Sequence, residues 1–99
     1  MSYNKLDKIT IVLNVLSVHL GIELKELRSN LKQKENKYIF LLLLKRFNCF
    51  ENDRIKEILE LISDKSLRNN INKAEEKFLI NKEFRRKYCE IEEGINKII

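Results

Sequence analysis

The chain has 99 residues, with 20 Lys+Arg against 15 Asp+Glu, a formal charge of +5, two Gly, no Pro and no Trp. That length fits one domain with one modest core and leaves no room for a catalytic domain beside an accessory one. The shortage of Gly and Pro excludes a turn-rich β-sandwich or barrel, and the bias to Leu, Ile, Lys, Glu and Asn predicts an all-α fold whose mild basicity permits a polyanionic partner.

Apolar residues recur at helical spacing along nearly the whole chain. Ile9, Leu13, Leu16 and Leu20 predict a first helix from about residue 5 to 20, which Gly21 ends in a left-handed stop. Leu24, Leu27 and Leu31 mark a short second helix. The polar stretch Lys32-Gln33-Lys34-Glu35-Asn36-Lys37 reads as a loop before a third helix, which is apolar on nearly every face and therefore central. Asn48 to Asp53 reads as a polar connection. Ile55, Ile58, Leu59 and Ile62 define a fourth helix. Leu67, Ile71, Ala74 and Phe78 define a fifth, capped by Ser63 or Asp64. Asn81 caps a sixth, with the stripe Phe84, Tyr88, Ile91, Ile95 and Ile98. There is no internal repeat and no linker, so a compact bundle of about six helices accounts for residues 1–99 as one domain.

The chemistry of sites is sparse. The greasiest run, Tyr38 to Leu44, is seven residues long and lies between Lys37 and Lys45, which is too short to span a membrane. The N-terminal flank lacks a signal-peptide cleavage pattern, and Asp7 and Asn14 interrupt its apolar run. Cys49 and Cys89 do not have metal-ligand spacing, and His19 alone cannot complete a zinc site with them. They read as two reduced, largely buried thiols of a cytoplasmic protein. His19 reads as a surface or satisfied core residue. With no glycine-rich phosphate loop and no nucleophile–base set, the expectation is a non-enzyme without metal or cofactor.

The placement of the charge says more than its total. Residues 1–24 and 38–62 are balanced, whereas 25–37 carry five bases against two acids and 63–99 carry nine against seven. Lys32, Lys34 and Lys37 fall in the first surplus and are suited to grip phosphates, each contact adding to a salt-dependent affinity. The fourth helix, a short break near Ser63 and the fifth helix have the spacing of a helix-turn-helix over about 51–80. The apolar stripe of the fifth helix turns Lys65, Asn69, Asn72 and Glu76 outward, with Arg68 and Lys73 flanking. Arg suits guanine, Asn suits adenine, and Lys suits phosphate or guanine. The alternative is that this is the solvated face of an ordinary helix. Lys82, Arg85, Arg86 and Lys87 interleave with Glu83 and Glu90, which reads mostly as helix-surface ion pairing.

The order of these features resembles domain IV, the C-terminal DNA-binding domain of the bacterial replication initiator DnaA, a Trp-repressor-like helix-turn-helix. The likeness runs from about Ile9 to Ile99. Val18 to Ser29 is similar to the family's first helix, turn and short second helix, and Leu31-Lys32-Gln33-Lys34 stands where the family has a basic loop. Lys37 to Leu44 matches the long apolar helix. Ile71-Asn72-Lys73-Ala74-Glu75-Glu76 resembles the family's "I-x-K-I-E-E", and Lys82 to Arg85 the start of its last helix. The family's "G-G-R-D-H-T-T-V" falls on Glu60 to Leu67, where only Ser66 and Leu67 are conservative and the base-reading His position holds Asp64, an acid that repels phosphate. The resemblance implies a stand-alone DNA-binding relative with a role in replication or transcription regulation. Lys32, Lys34 and Lys37 would hold the DNA backbone; Lys65, Arg68, Asn69 and Asn72 would meet bases, and Ser66 a phosphate or base edge. The rival expectation is a protein-interaction module that kept the fold and lost DNA reading. A positive surface joining 32–37 to the fifth helix favours DNA; an exposed apolar patch favours a protein partner.

Overall fold

A computed structural model describes residues 7–98. The first described residue, Asp7, caps helix α1 (Lys8–Leu20) by accepting a hydrogen bond from the Ile9 N–H at 3.2 Å. Residues 5 and 6 of the predicted helix lie outside the described residues. Gly21 ends α1 at φ +71°; its N–H and that of Ile22 bond back to the Val18 and Ser17 carbonyls, the left-handed stop expected from sequence. Helix α2 (Leu24–Asn30) follows, with the Glu26 carboxylate accepting from the Glu23 N–H at 3.2 Å.

Helix α3 (Lys34–Arg46) begins earlier than the sequence reading placed it. The polar run 32–37 is mostly the first turn of this helix, so Lys34 and Lys37 stand on α3 and only Leu31, Lys32 and Gln33 connect it to α2. The reason is that a solvated helix start is as polar as a loop. Asn36 marks the difference: it is buried, and its amide donates to the Asn30 carbonyl at 3.3 Å. The rest of α3 is the centre of the molecule. It packs against α1, α5 and α6, and Ile39, Phe40, Leu41, Leu43 and Leu44 are fully buried. Each such side chain contributes roughly 1.5–3 kcal/mol of burial free energy.

Helix α4 (Asn52–Leu59) buries Ile55, Ile58 and Leu59. Ile62, assigned to the same apolar stripe, instead lies beyond the helix and is 98% exposed, because the chain reverses at Glu60. Helix α5 (Asp64–Ile80) is capped by Ser63, whose hydroxyl oxygen accepts from the Ser66 N–H at 3.1 Å. Helix α6 (Lys82–Asn96) is capped by Asn81 through the Phe84 N–H at 2.9 Å. Its stripe Phe84, Tyr88, Ile91 and Ile95 is buried as expected, whereas Ile98 falls past the helix end and is exposed. Phe78 of α5 meets Tyr88 edge-to-face, with ring centroids 5.4 Å apart. Burial raises the Tyr88 phenol well above its ordinary range, with the nearby Glu92 carboxylate adding to the effect.

The result is an all-helical globule of six helices among the described residues, with a radius of gyration of 12.9 Å. A folded domain of 100 residues is expected to measure ~13 Å. No helix of the described residues is long and apolar enough to cross a membrane.

Candidate nucleic-acid interface

The surface built by α4, the four-residue connection Glu60 to Ser63, and α5 starts from how α4 stops. Glu60 takes a left-handed conformation (φ 57°, ψ 43°) and donates to the Glu57 carbonyl, while the Leu61 N–H reaches the Lys56 carbonyl at 2.8 Å. This paired closure is a Schellman motif, which usually places Gly at the left-handed residue and an apolar residue after it. Leu61 fulfils the apolar role by packing on the core. Asn48 closes α3 in the same way at φ 59°, with Cys49 donating to the Leu44 carbonyl. Gly21, Asn48 and Glu60 thus do one job with very different side chains, and only Glu60 has neither a missing Cβ nor a short amide to ease it.

Ser63 then starts α5, and Leu67 and Ala74 turn into the core. The opposite face carries Lys65, Arg68, Asn69 and Asn72, all exposed, with no side-chain hydrogen bond or ion pair among the described residues. Ser66 is half-buried near the start of the helix. Asn70 is withdrawn from this face: half-buried, it donates its amide to the Ser66 carbonyl at 2.8 Å. Lys73 and Glu76 extend the exposed face toward the C-terminal half. The sequence-level assignment of an outward polar face on the fifth helix therefore matches its geometry.

Asp64 is not the isolated acid that its position suggests. Read from sequence it is an acid at the leading end of this face. In the structure its carboxylate is 2.9 Å from the Lys56 ammonium, which also approaches Asp53 at 3.6 Å. The Lys56 contact holds the Asp64 carboxyl below its ordinary value and raises the Lys56 ammonium in turn. Its negative charge is thus matched locally instead of standing alone at the helix start. Lys56 was not singled out in the sequence; only its position one turn before the chain reversal hints that it can reach back to α5.

The basic residues near α2 and α3 divide. Lys32 is exposed and 3.7 Å from Glu60, which joins the α2–α3 connection to the turn before α5. Lys34 is exposed on the first turn of α3, and Lys37 is half-buried one turn on. Neither makes a hydrogen bond or ion pair to α5 among the described residues. Glu35, between them, faces Lys87 of α6 at 3.7 Å. One contact therefore ties the three lysines to the α4–α5 unit, and Lys32 makes it.

The remaining candidates carry little chemistry. His19 is exposed. Cys49 is half-buried against the Leu44 carbonyl, and burial pushes its thiol up; Cys89 is exposed on α6, against the expectation of two largely buried thiols. The stripe that buries Tyr88 turns its neighbour Cys89 outward. Arg86 pairs with Glu83 at 2.5 Å and Glu90 at 3.6 Å, the helix-surface pairing expected for that cluster. Arg85 instead donates to the Phe78 and Leu79 carbonyls at the end of α5. Leu79 and Ile80, at that same corner, are 75% and 77% exposed. Among the described residues, no group of three or more His, Cys, Asp or Glu side chains is placed to hold a metal ion.

No protein-family profile, curated protein or solved structure matches this chain.

Proposed function

We propose that the chain is a DNA-binding helix-turn-helix protein related to the DnaA C-terminal domain, with α4 and α5 as the two helices and α5 as the reader. The observation that carries this reading is the row Lys65, Arg68, Asn69 and Asn72, exposed and unpaired on the helix that follows a four-residue turn. Side chains of this kind, uncommitted to the protein's own surface, match the hydrogen-bonding edges of the major groove. Ser66 sits where a phosphate or base edge meets the start of α5. Lys32 stands by the turn to meet the DNA backbone, with Lys34 and Lys37 adding charge from the start of α3. The likeness to the DnaA domain adds a role in replication or transcription regulation. Cytoplasmic placement accompanies it.

Anisotropy titration of a labelled duplex tests the reading. Arg68→Ala and Asn72→Ala are each expected to weaken binding to a preferred sequence by roughly 5- to 150-fold, the worth of one good base contact. Equal affinity of both variants and wild type for every duplex would sink the base-reading role of α5.

A second reading, a protein-interaction module, is favoured by Leu79 and Ile80, two large apolar side chains exposed side by side at the α5–α6 corner. Absence of duplex binding even at low salt would promote it.

A further inference from the structure

Ile62 is the residue immediately before the Ser63 cap of α5. An apolar residue at this position commonly folds back onto the fourth residue of the helix, a hydrophobic staple. The fourth residue of α5 is Leu67, apolar and only 2% exposed, yet Ile62 is 98% exposed. The staple is open. The turn explains this: Leu61, the residue after the left-handed Glu60, takes the inward place on the core, and the next side chain is directed outward. A branched aliphatic chain of this size, wholly in water, forgoes the burial free energy that its counterparts in α3 and α6 gain.

The neighbours of Ile62 narrow what it can meet. Lys65 and Arg68 lie exposed within the first two turns of α5, and the two acids flanking Ile62 are met by lysines, Glu60 by Lys32 at 3.7 Å and Asp64 by Lys56 at 2.9 Å. That ring favours an anionic partner with an apolar feature among its polar groups. In the major groove of DNA the apolar feature at the base edges is the C5-methyl of thymine. When a helix-turn-helix docks, the N-terminal end of its second helix approaches the bases, which carries the residue just before the cap to the same groove. Asn69 and Asn72 present amides suited to adenine farther along the helix, while Asn70 is spent on the Ser66 carbonyl.

We propose that Ile62 is a specificity-determining residue that packs on a thymine methyl, so that α5 and its leading turn favour A·T pairs. This inference rests on the DNA-binding reading above.

The test compares one A·T-rich duplex with the same duplex carrying uracil in place of thymine, which removes only the methyl groups. Wild type is expected to bind the uracil duplex roughly 4-fold more weakly for each methyl it contacts. Ile62→Ala is expected to bind both duplexes alike, at the weaker level, with an unchanged dependence on salt. Its thermal midpoint is expected to equal that of wild type, since the side chain touches no core. Equal wild-type affinity for the two duplexes would overturn the thymine contact while leaving DNA binding standing. Retention of the difference by Ile62→Ala would overturn the role of this residue. Failure to bind either duplex at about 50 mM salt would overturn both readings together.

Discussion

Replacing Glu60 with Gly is expected to stabilise the fold. Glu60 holds φ 57°, ψ 43° at the end of α4, where its Cβ crowds the backbone. For an L-residue with a side chain, this conformation costs roughly 1–2 kcal/mol. Glycine removes that cost but adds backbone freedom to the unfolded chain, which returns about 0.4–1 kcal/mol. The substitution also loses the Lys32–Glu60 pair at 3.7 Å, whose side chains are 65% and 53% exposed. A pair so exposed and so long is worth a few tenths of a kcal/mol at most. The net gain is therefore about 0.5–1 kcal/mol, which in a domain of this size raises the thermal midpoint by roughly 2–8 °C. Circular-dichroism melting of wild type, Glu60→Gly and Glu60→Ala separates the contributions. The alanine variant loses the ion pair but keeps a Cβ, so it is expected to melt at or slightly below wild type. Gly21→Ala is the mirror experiment: φ is +71° and nothing lies within 4 Å of the added Cβ, so about 1 kcal/mol is expected to be lost through backbone strain alone. A glycine variant of Glu60 that melts with or below the alanine variant would refute the argument from strain.

Three further outcomes follow from the same structure. Gly94 lies inside α6, where a Cβ would sit 3.5 Å from a Val15 methyl in ordinary contact, so Gly94→Ala is expected to stabilise by about 0.5–1 kcal/mol in urea unfolding. Ser63→Ala removes the acceptor of the Ser66 N–H and is expected to cost about 1 kcal/mol, with fraying confined to the start of α5 in amide exchange. Asp7 bonds to the Arg54 guanidinium, which holds its carboxyl below the ordinary value. A depressed native pKa gives stability that is present above the unfolded value, near 4, and lost as pH falls through the native one. Asp7→Asn keeps a capping side chain, so its deficit of roughly 0.5–1 kcal/mol at neutral pH isolates the pair and is expected to vanish on acidification below about pH 4. A deficit that persists at pH 2 would contradict this sign.

The periodic parts of the fold were readable residue by residue, because a buried stripe must repeat with the helix. Phe84, Tyr88, Ile91 and Ile95 fell inward as spaced, and Leu67 and Ala74 fixed which face of α5 points out. Reversals were less readable. Ile62 continues the i, i+4 series from Ile58, and only the left-handed backbone at Glu60, a residue type that rarely adopts it, takes Ile62 out of the helix and into solvent. Lys34 and Lys37 read as loop residues from sequence because polar residues begin a surface helix as readily as they fill a connection. At the candidate site the outward row of α5 followed from the stripe, whereas two of its modifiers depend on side-chain geometry, one between helices and one within α5. The Lys56–Asp64 pair exists only once the turn brings α4 and α5 together, and the withdrawal of Asn70 depends on its amide finding the Ser66 carbonyl. Cys89 illustrates the reverse error: a residue type that is usually buried is exposed here because its neighbour Tyr88 claims the inward face.

The central claim, that this surface binds duplex DNA, is tested most directly by measuring affinity against salt concentration for wild type and the Lys32/Lys34/Lys37→Ala variant. Wild type is expected to bind at low salt, with log affinity falling linearly in log salt. The triple variant is expected to bind more weakly, with a slope shallower by roughly 0.9 for each phosphate contact removed. No binding at low salt, or identical slopes for the two proteins, would contradict the account.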